Sequence, residues 1–233
     1  MNRFLLSLTL IGLGTSSALA EPTPSRSPDP DPPPAKRKVV TTGAGVSNVW
    51  LESPGRAGSE TLFTARVSIS QPVFTDSWTL GAGAYGTIAT LGRSDPTWND
   101  RFLGLNLRLG YTLPLPAFPW RISLNGGYFY TACYSSTPGY GHVGGVQVFP
   151  TLAKVLRSRS ILSLNLKYAP VSDNWIASSG NSREVAYGVG WIFPPFEDRS
   201  AFALGLDSSD LIVRRDRNTF RVRTWTLGAS YRF

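Results

Sequence analysis

The feature that most constrains this chain of 233 residues is an alternation of apolar residues with small or polar ones. In the stretch 225–233 every second residue is apolar, and the residues between them are Thr226, Gly228, Ser230 and Arg232. Side chains on a strand point alternately to its two faces, so this pattern predicts a strand with one apolar face. A helix would instead need apolar residues three and four positions apart.

The same alternation recurs along the chain and predicts ten strands, with eight as the alternative. Pro150 predicts a bulge or an early end in the sixth segment, because proline cannot donate a ladder hydrogen bond. The ten segments are Val39–Leu51, Glu60–Val73, Trp78–Leu91, Phe102–Leu113, Trp120–Thr131, Val143–Leu156, Ile161–Ala169, Glu184–Phe193, Ala201–Val213 and Trp225–Phe233.

The face opposite the apolar one consists mostly of Gly, Ser, Thr, Asn and Arg in the clearest segments. A soluble sandwich or a lipocalin-like barrel would need large apolar side chains on its inner face, and these residue types do not supply them. With the apolar face turned to lipid and the polar face turned inward, the pattern becomes consistent. The sequence therefore predicts an all-β fold, an antiparallel transmembrane up-and-down β-barrel with a polar lumen.

The first 38 residues do not show the alternation and divide into two parts. Residues 1–20 combine Arg3, a short apolar core and the small-residue site 18–20, which together predict a cleaved signal peptide. Residues 21–38 begin with seven prolines among fourteen residues, which favours an extended, disordered linker, here placed in the periplasm. The predicted barrel comprises residues 39–233.

The end of the chain carries two aromatic residues, Tyr231 and Phe233, on the apolar face of the last segment. This ending resembles the closing strand of small bacterial outer-membrane β-barrel proteins. The resemblance implies an outer-membrane location and recognition by the barrel-assembly machinery. It also implies contact with outer-membrane lipid and lipopolysaccharide. Every second connection is mostly longer and more polar, which predicts outward loops and two periplasmic termini. These predicted loops are Glu52–Gly58, Gly92–Asp100, Tyr134–His142, Ser172–Arg183 and Arg214–Asn218.

The inward face carries the first candidate site, a lumen polar cluster in which basic residues outnumber acidic ones. A narrow barrel has to pair such groups with one another or with water, because an unpaired buried charge is costly. The cluster predicts a hydrogen-bonded plug, and the alternative is a narrow, anion-favouring pore. Its members are Arg66, Asn106, Arg108, Arg121, Asn125, Asn165, Lys167 and Asp207.

The second candidate site is a group of arginines around the last outer loop. The planar guanidinium fork suits phosphate, so this group is a candidate for contact with lipopolysaccharide phosphates. The alternative is a solvated loop in which Asp216 is the local partner. The arginines are Arg214, Arg215, Arg217, Arg221 and Arg223.

The chain offers few residues for catalysis or metal binding. Cys133 and His142 are the only cysteine and histidine, so we expect no metal site, no cofactor and no catalytic residue. The segment around Asp76 and Ser77 resembles part of the lipid A palmitoyltransferases, but the upstream histidine of that family is missing, and a tight turn is expected instead. The net charge of +8 would suggest nucleic acid in another setting, but for an exported chain the expected anions are lipopolysaccharide phosphates, periplasmic polymers or small anionic solutes.

These observations favour a structural, adhesive or surface-interaction role for the barrel. They identify no surface ligand. A narrow pore is the alternative role, and a lipid A-modifying enzyme is a third, less favoured one.

Overall fold

The computed structural model describes residues 38–95, 99–115, 118–134, 141–171, 182–215 and 218–233. Within these ranges the chain forms ten β-strands. They are β1 (Val39–Ser53), β2 (Arg56–Val73), β3 (Trp78–Arg93), β4 (Arg101–Thr112), β5 (Arg121–Tyr134), β6 (Gly141–Val155), β7 (Ile161–Pro170), β8 (Arg183–Ile192), β9 (Ala201–Arg215) and β10 (Asn218–Arg232).

The ten strands form a closed barrel in which each strand pairs with its sequence neighbours and β10 pairs with β1. The β1–β10 pairing is antiparallel, and the backbone N–H of Phe233 extends it by donating to the carbonyl oxygen of Val40 at 3.0 Å. The predicted all-β, antiparallel up-and-down barrel is confirmed, with ten strands and not eight. We call the end of the barrel that holds Val39 and Phe233 the terminal end, and the opposite end the loop end.

The segments assigned to a signal peptide (1–20) and to a linker (21–38) lie outside the described residues, apart from Lys38. Both assignments therefore stay predictions.

Two connections at the loop end are much shorter than the sequence suggested. β1 and β2 join through Pro54 and Gly55, and Gly55 takes a positive φ of 75° that glycine adopts without a steric penalty. β9 continues to Arg215 and β10 begins at Asn218, so most of the predicted loop Arg214–Asn218 belongs to strands. The predicted loops at 52–58 and 214–218 were wrong, because hairpin pairing continues beyond the last apolar residue of each strand.

Pro150 neither bulges nor ends its strand, contrary to the prediction. It pairs with Leu124 on β5, and β6 runs unbroken from Gly141 to Val155. On the other side, the pairing with β7 passes from Val148–Tyr168 to Thr151–Asn165 without a change of register. The sheet therefore accommodates the missing N–H of Pro150 by omitting pairs between β6 and β7, while the pairing between β6 and β5 continues. Register shifts do occur between β2 and β3, near Leu62 and Phe63.

The outer surface of the barrel is apolar. Leu105, Leu164, Val189 and Leu227, all on the predicted apolar face, have exposed fractions of 47%, 38%, 46% and 64%. Large exposed apolar residues of this kind lie on all ten strands, for example Val46 on β1 and Leu206 on β9. A continuous apolar exterior on a closed barrel is the surface that faces lipid. Among the described residues no helix is long and apolar enough to cross a membrane.

Candidate functional site: the lumen and the outer rim

Apolar side chains fill the loop-end half of the lumen. One buried cluster gathers there from eight strands and the residue after β7, and its phenylalanines, Phe102, Phe129 and Phe220, are 1%, 3% and 7% exposed. The prediction of a polar lumen did not include this cluster, which lies among buried charged residues such as Glu184. The apolar cluster consists, among the described residues, of Val49, Leu51, Leu62, Phe102, Phe129, Cys133, Val143, Ala169, Val171, Leu211, Val213, Phe220 and Val222.

Beside the apolar cluster lies a buried ion pair. The ammonium of Lys167 donates to Oε2 of Glu184 at 2.7 Å, and both side chains are about nine-tenths buried, with exposed fractions of 11% and 7%. Lys167 also lies 4.2 Å from the ring centroid of Phe129, an arrangement that adds cation–π attraction. The pair thus links β7 and β8 to the apolar cluster.

A second ion pair lies on the inner surface of the barrel in the terminal-end half and spans two intervening strands. Nη1 of Arg66 on β2 lies 3.7 Å from Oδ2 of Asp207 on β9. To reach it, the arginine passes over β1 and β10, where Gly43 and Gly228 leave room. A Cβ on Gly43 would lie 2.9 Å from Nε of Arg66, and one on Gly228 would lie 3.4 Å from Nη2. The two glycines therefore leave the space that the Arg66 side chain occupies.

The same arrangement recurs in the lumen, where an inward side chain lies over the glycine that is directly opposite it on the neighbouring strand. A Cβ on Gly81 would lie 2.7 Å from Nε of Arg108, and a Cβ on Gly104 would collide with the ring of Tyr85. This pairing explains why glycine is frequent on the inward face of these strands. The described pairs are Arg66–Gly43, Tyr85–Gly104, Asn106–Gly83, Arg108–Gly81, Asn125–Gly110 and Ser163–Gly190.

The terminal-end half of the lumen contains a cavity of about 80 Å³ whose lining combines charged, polar and apolar residues. Arg108, Asn106, Asn165 and the Arg66–Asp207 pair line it, together with residues such as Arg232 near the terminal end. Arg108 and Asn165 are 6% and 7% exposed. The lumen therefore holds a cavity with charged side chains on the side of the two termini, and an apolar cluster with a few buried charged residues on the side of the loops.

The two remaining members of the predicted lumen cluster lie on β5, away from this cavity. The side-chain amide of Asn125 donates to the carbonyl oxygen of Phe149 at 3.1 Å and so bridges β5 and β6. Arg121 begins β5 at the terminal end and is half-buried. The structure therefore brings together five of the eight predicted residues around the cavity and places Lys167, Asn125 and Arg121 elsewhere.

Sequence reasoning missed three buried acids. Glu184 pairs with Lys167, while Glu60 and Asp100 are both 2% exposed and interact electrostatically with each other near the loop end. Glu60 and Glu184 alternate with the outward apolar residues of their segments and so have inward parity, meaning that they occupy the positions that face the lumen. This alternation could have identified them as buried acids. Their presence reduces the positive excess that the sequence predicted for the lumen.

The outward face near the loop end carries a charged group that we call the rim patch. Arg221 forms a two-pronged contact with Asp210, with Nε donating to Oδ1 at 2.8 Å and Nη2 donating to Oδ2 at 2.6 Å. Arg223 lies 4.0 Å from the same carboxylate, and its guanidinium sits 5.0 Å from the ring centroid of Trp50. The rim patch consists of Glu52, Arg183, Asp210, Arg214, Arg221 and Arg223.

Only part of the predicted arginine group belongs to the rim patch. Arg217 and its suggested partner Asp216 lie outside the described residues, and so does the side chain of Arg215. Arg214 is exposed at the end of β9, where its backbone N–H donates to Oγ of Ser182 at 2.8 Å. The partner that the structure shows is Asp210, which sequence reasoning missed although it shares the outward parity of Leu206.

Asp76 and Ser77 lie in the turn between β2 and β3, as the expected tight turn requires. The backbone N–H of Trp78 donates to the carbonyl oxygen of Thr75 across this turn at 3.2 Å. The turn is at the terminal end, whereas His142 is the second residue of β6 at the loop end and lies against Tyr130 with ring centroids 6.0 Å apart. Ser77 and His142 therefore cannot act on the same atom.

No family model matches this chain, and no curated protein matches it. Several solved structures are similar to it. Neisserial surface protein A is 12% identical, with 84% of this chain and 95% of that chain covered and a TM-score of 0.40. Ail, the attachment invasion locus protein of Yersinia pestis, is 16% identical, with 84% and 98% covered and a TM-score of 0.32. The β-domain of the Bordetella autotransporter Brka is 13% identical, with 84% and 98% covered and a TM-score of 0.44. At identities and TM-scores this low, none of them assigns a function or a residue role to this chain.

Proposed function

We propose that this chain is a non-conducting outer-membrane β-barrel with a structural, adhesive or surface-interaction role. Its working surface in this proposal is the loop end, directed away from the cell. The closed barrel and its apolar exterior support insertion in a membrane. An up-and-down barrel with periplasmic termini places the loop end outside, and the strand that closes against β1 is the segment that the barrel-assembly machinery would engage.

The observation that carries the proposal is the apolar cluster. Conduction needs a continuous path of water, and the cluster fills the loop-end half of the lumen with side chains that are at most 7% exposed. Packed interiors of this kind contain few voids larger than a water molecule. The cavity of about 80 Å³ lies on the terminal-end side of this cluster. This arrangement favours a plugged barrel over an anion-favouring pore.

Planar-bilayer recordings test the proposal. We expect purified full-length protein to insert without producing resolved conductance steps, because the apolar cluster separates the cavity from the loop end. The Arg108→Glu variant should be equally silent, since it reverses a charge in the cavity and leaves the cluster intact. Protease protection of the inserted protein in liposomes serves as the control for insertion.

Steady single-channel steps from the wild-type protein would contradict this proposal. If those currents favoured anions and the preference fell in the Arg108→Glu variant, the narrow pore would be the better account.

We further propose that the rim patch contacts phosphate groups of lipopolysaccharide. Four arginines face two acids on this outward surface, which leaves a charge of about +2 (four minus two). Arg221 already engages Asp210 with both prongs, so Arg183, Arg214 and Arg223 are the three cations that are not held in a two-pronged contact. The guanidinium of Arg223 lies beside Trp50, a residue type that is enriched at membrane interfaces, and this position supports phosphate binding.

The free energy of unfolding of the protein in micelles that contain lipid A tests this contact. Lipid A should stabilise the wild-type protein relative to zwitterionic lipid, and Arg183→Gln/Arg223→Gln should lose about 2 kcal/mol of that gain, at about 1 kcal/mol per cation. Urea unfolding in mixed micelles with and without lipid A measures both quantities. The matched control is Arg199→Gln, which removes an exposed arginine from a terminal-end turn. An equal loss in the control would show general charge attraction instead of a rim contact.

A further inference from the structure

Arg108 is a buried cation for which the described residues provide no partner. Arg108 is 6% exposed and lines the cavity. Within the described ranges its guanidinium forms no hydrogen bond and no ion pair. A buried charge without a partner is costly, so such groups are normally paired or hydrogen-bonded. The position of Arg108 therefore calls for an anion or for ordered water in front of it.

The lining of the cavity favours an anion over a cation. Asp207 is the only acid among the described lining residues, and it already faces Arg66 at 3.7 Å. Asn106 and Asn165 also line the cavity, and the side-chain amide of each can donate hydrogen bonds from Nδ2. The amide donors and the guanidinium thus surround a space with a surplus of positive charge.

The size of the cavity limits what can occupy it. A volume of about 80 Å³ exceeds the roughly 10–15 Å³ that one water needs and is far below the roughly 300 Å³ at which drug-sized pockets begin. Gly81 allows Arg108 to take its position at this space, because a Cβ there would lie 2.7 Å from Nε of Arg108. The space suits a few waters or one small inorganic anion.

We propose that this cavity is a binding site for a small inorganic anion, of the chloride or phosphate class, with Arg108 as its principal ligand. The anion enters from the terminal end, where Thr41 and Arg232 line the cavity, and the apolar cluster prevents its passage to the loop end. The site is thus a closed-ended pocket and not part of a pore. It is independent of the proposed surface role, which concerns the opposite end of the barrel.

Anion titrations of the full-length protein in detergent micelles test the site. Sodium chloride and sodium phosphate are titrated separately by calorimetry into a gluconate buffer of constant ionic strength, because gluconate is too large for the cavity. We expect saturable binding of one anion per chain to the wild type and at least tenfold weaker binding to Arg108→Gln. Arg159→Gln removes an exposed arginine from a terminal-end turn outside the cavity and should bind like the wild type.

A stability measurement on the same proteins gives a second, independent readout. In gluconate, Arg108→Gln should unfold at a higher temperature than the wild type, because it removes an uncompensated buried charge. Adding the bound anion should raise the unfolding temperature of the wild type and leave that of Arg108→Gln unchanged.

If Arg108→Gln fails to fold, crystals of the wild type soaked in bromide replace it, with an anomalous peak expected beside the guanidinium of Arg108. Absence of saturable binding of either anion, unchanged binding in Arg108→Gln, or no bromide peak would each overturn the site and identify water as the occupant. None of these outcomes bears on whether the barrel conducts.

Discussion

Replacing Glu184 by glutamine should lower the free energy of unfolding by about 3–5 kcal/mol, because it leaves the buried ammonium of Lys167 without its counter-charge. The two groups are in contact at 2.7 Å and are almost fully buried, so water cannot compensate for the lost carboxylate. Urea unfolding of the protein in micelles, followed by tryptophan fluorescence, measures the change.

Two further variants separate the ion pair from a general effect of mutation. Lys167→Met/Glu184→Leu removes both charges and should recover most of the loss, since apolar replacements of a buried pair are often neutral or stabilising. Asp210→Asn breaks a pair that is about one-third exposed and should cost at most about 1 kcal/mol. A Glu184→Gln loss no larger than that of Asp210→Asn would show that the lumen near Lys167 is hydrated.

Replacing Leu105 by arginine should destabilise the inserted barrel by about 2–4 kcal/mol, the cost of an arginine on the lipid face near the midplane. Leu105 is 47% exposed in the middle of β4, and its outward neighbours on the adjacent strands are Ala84 and Tyr130. Equilibrium unfolding in phospholipid liposomes measures this cost.

Gln71→Arg is the matched control for that variant. Gln71 faces outward near the terminal end of β2, where the cost of arginine should fall to about 0–1 kcal/mol. Equal losses at Leu105 and Gln71 would contradict the assignment of the apolar exterior to lipid. A soluble, folded Leu105→Arg protein would contradict it more directly.

Several features could be predicted from the sequence because they depend only on the period of a strand. The alternation around Leu105 and Leu164 identified which residues face outward, and it placed Arg108 and Asp207 inside. The same period held the information for the apolar cluster, since Leu62 and Phe102 have inward parity. We did not predict it because apolar residues on both faces weaken the alternation and make a segment look irregular.

Contacts between inward side chains depend on the register in which neighbouring strands pair. The alternation of residues along one strand carries no information about this register. Lys167 lies opposite Ala186 and therefore diagonal to Glu184, a relation set by the way β7 and β8 are paired. Arg66 and Asp207 meet only because β1 closes against β10 and glycines leave a path across both strands. Closing a barrel staggers its strands, so contacts across the lumen depend on the whole circuit of pairings.

The sequence by itself thus determined the strand type, the apolar outward face and the inward direction of the polar residues, and it favoured ten strands over eight. Only the tertiary structure decided that an apolar cluster fills the lumen toward the loops, that a cavity lies toward the termini, and that Arg108 faces this cavity instead of an acid. The physical reason is that parity is a local property of the backbone, whereas burial and pairing arise when closure brings distant strands to face one another.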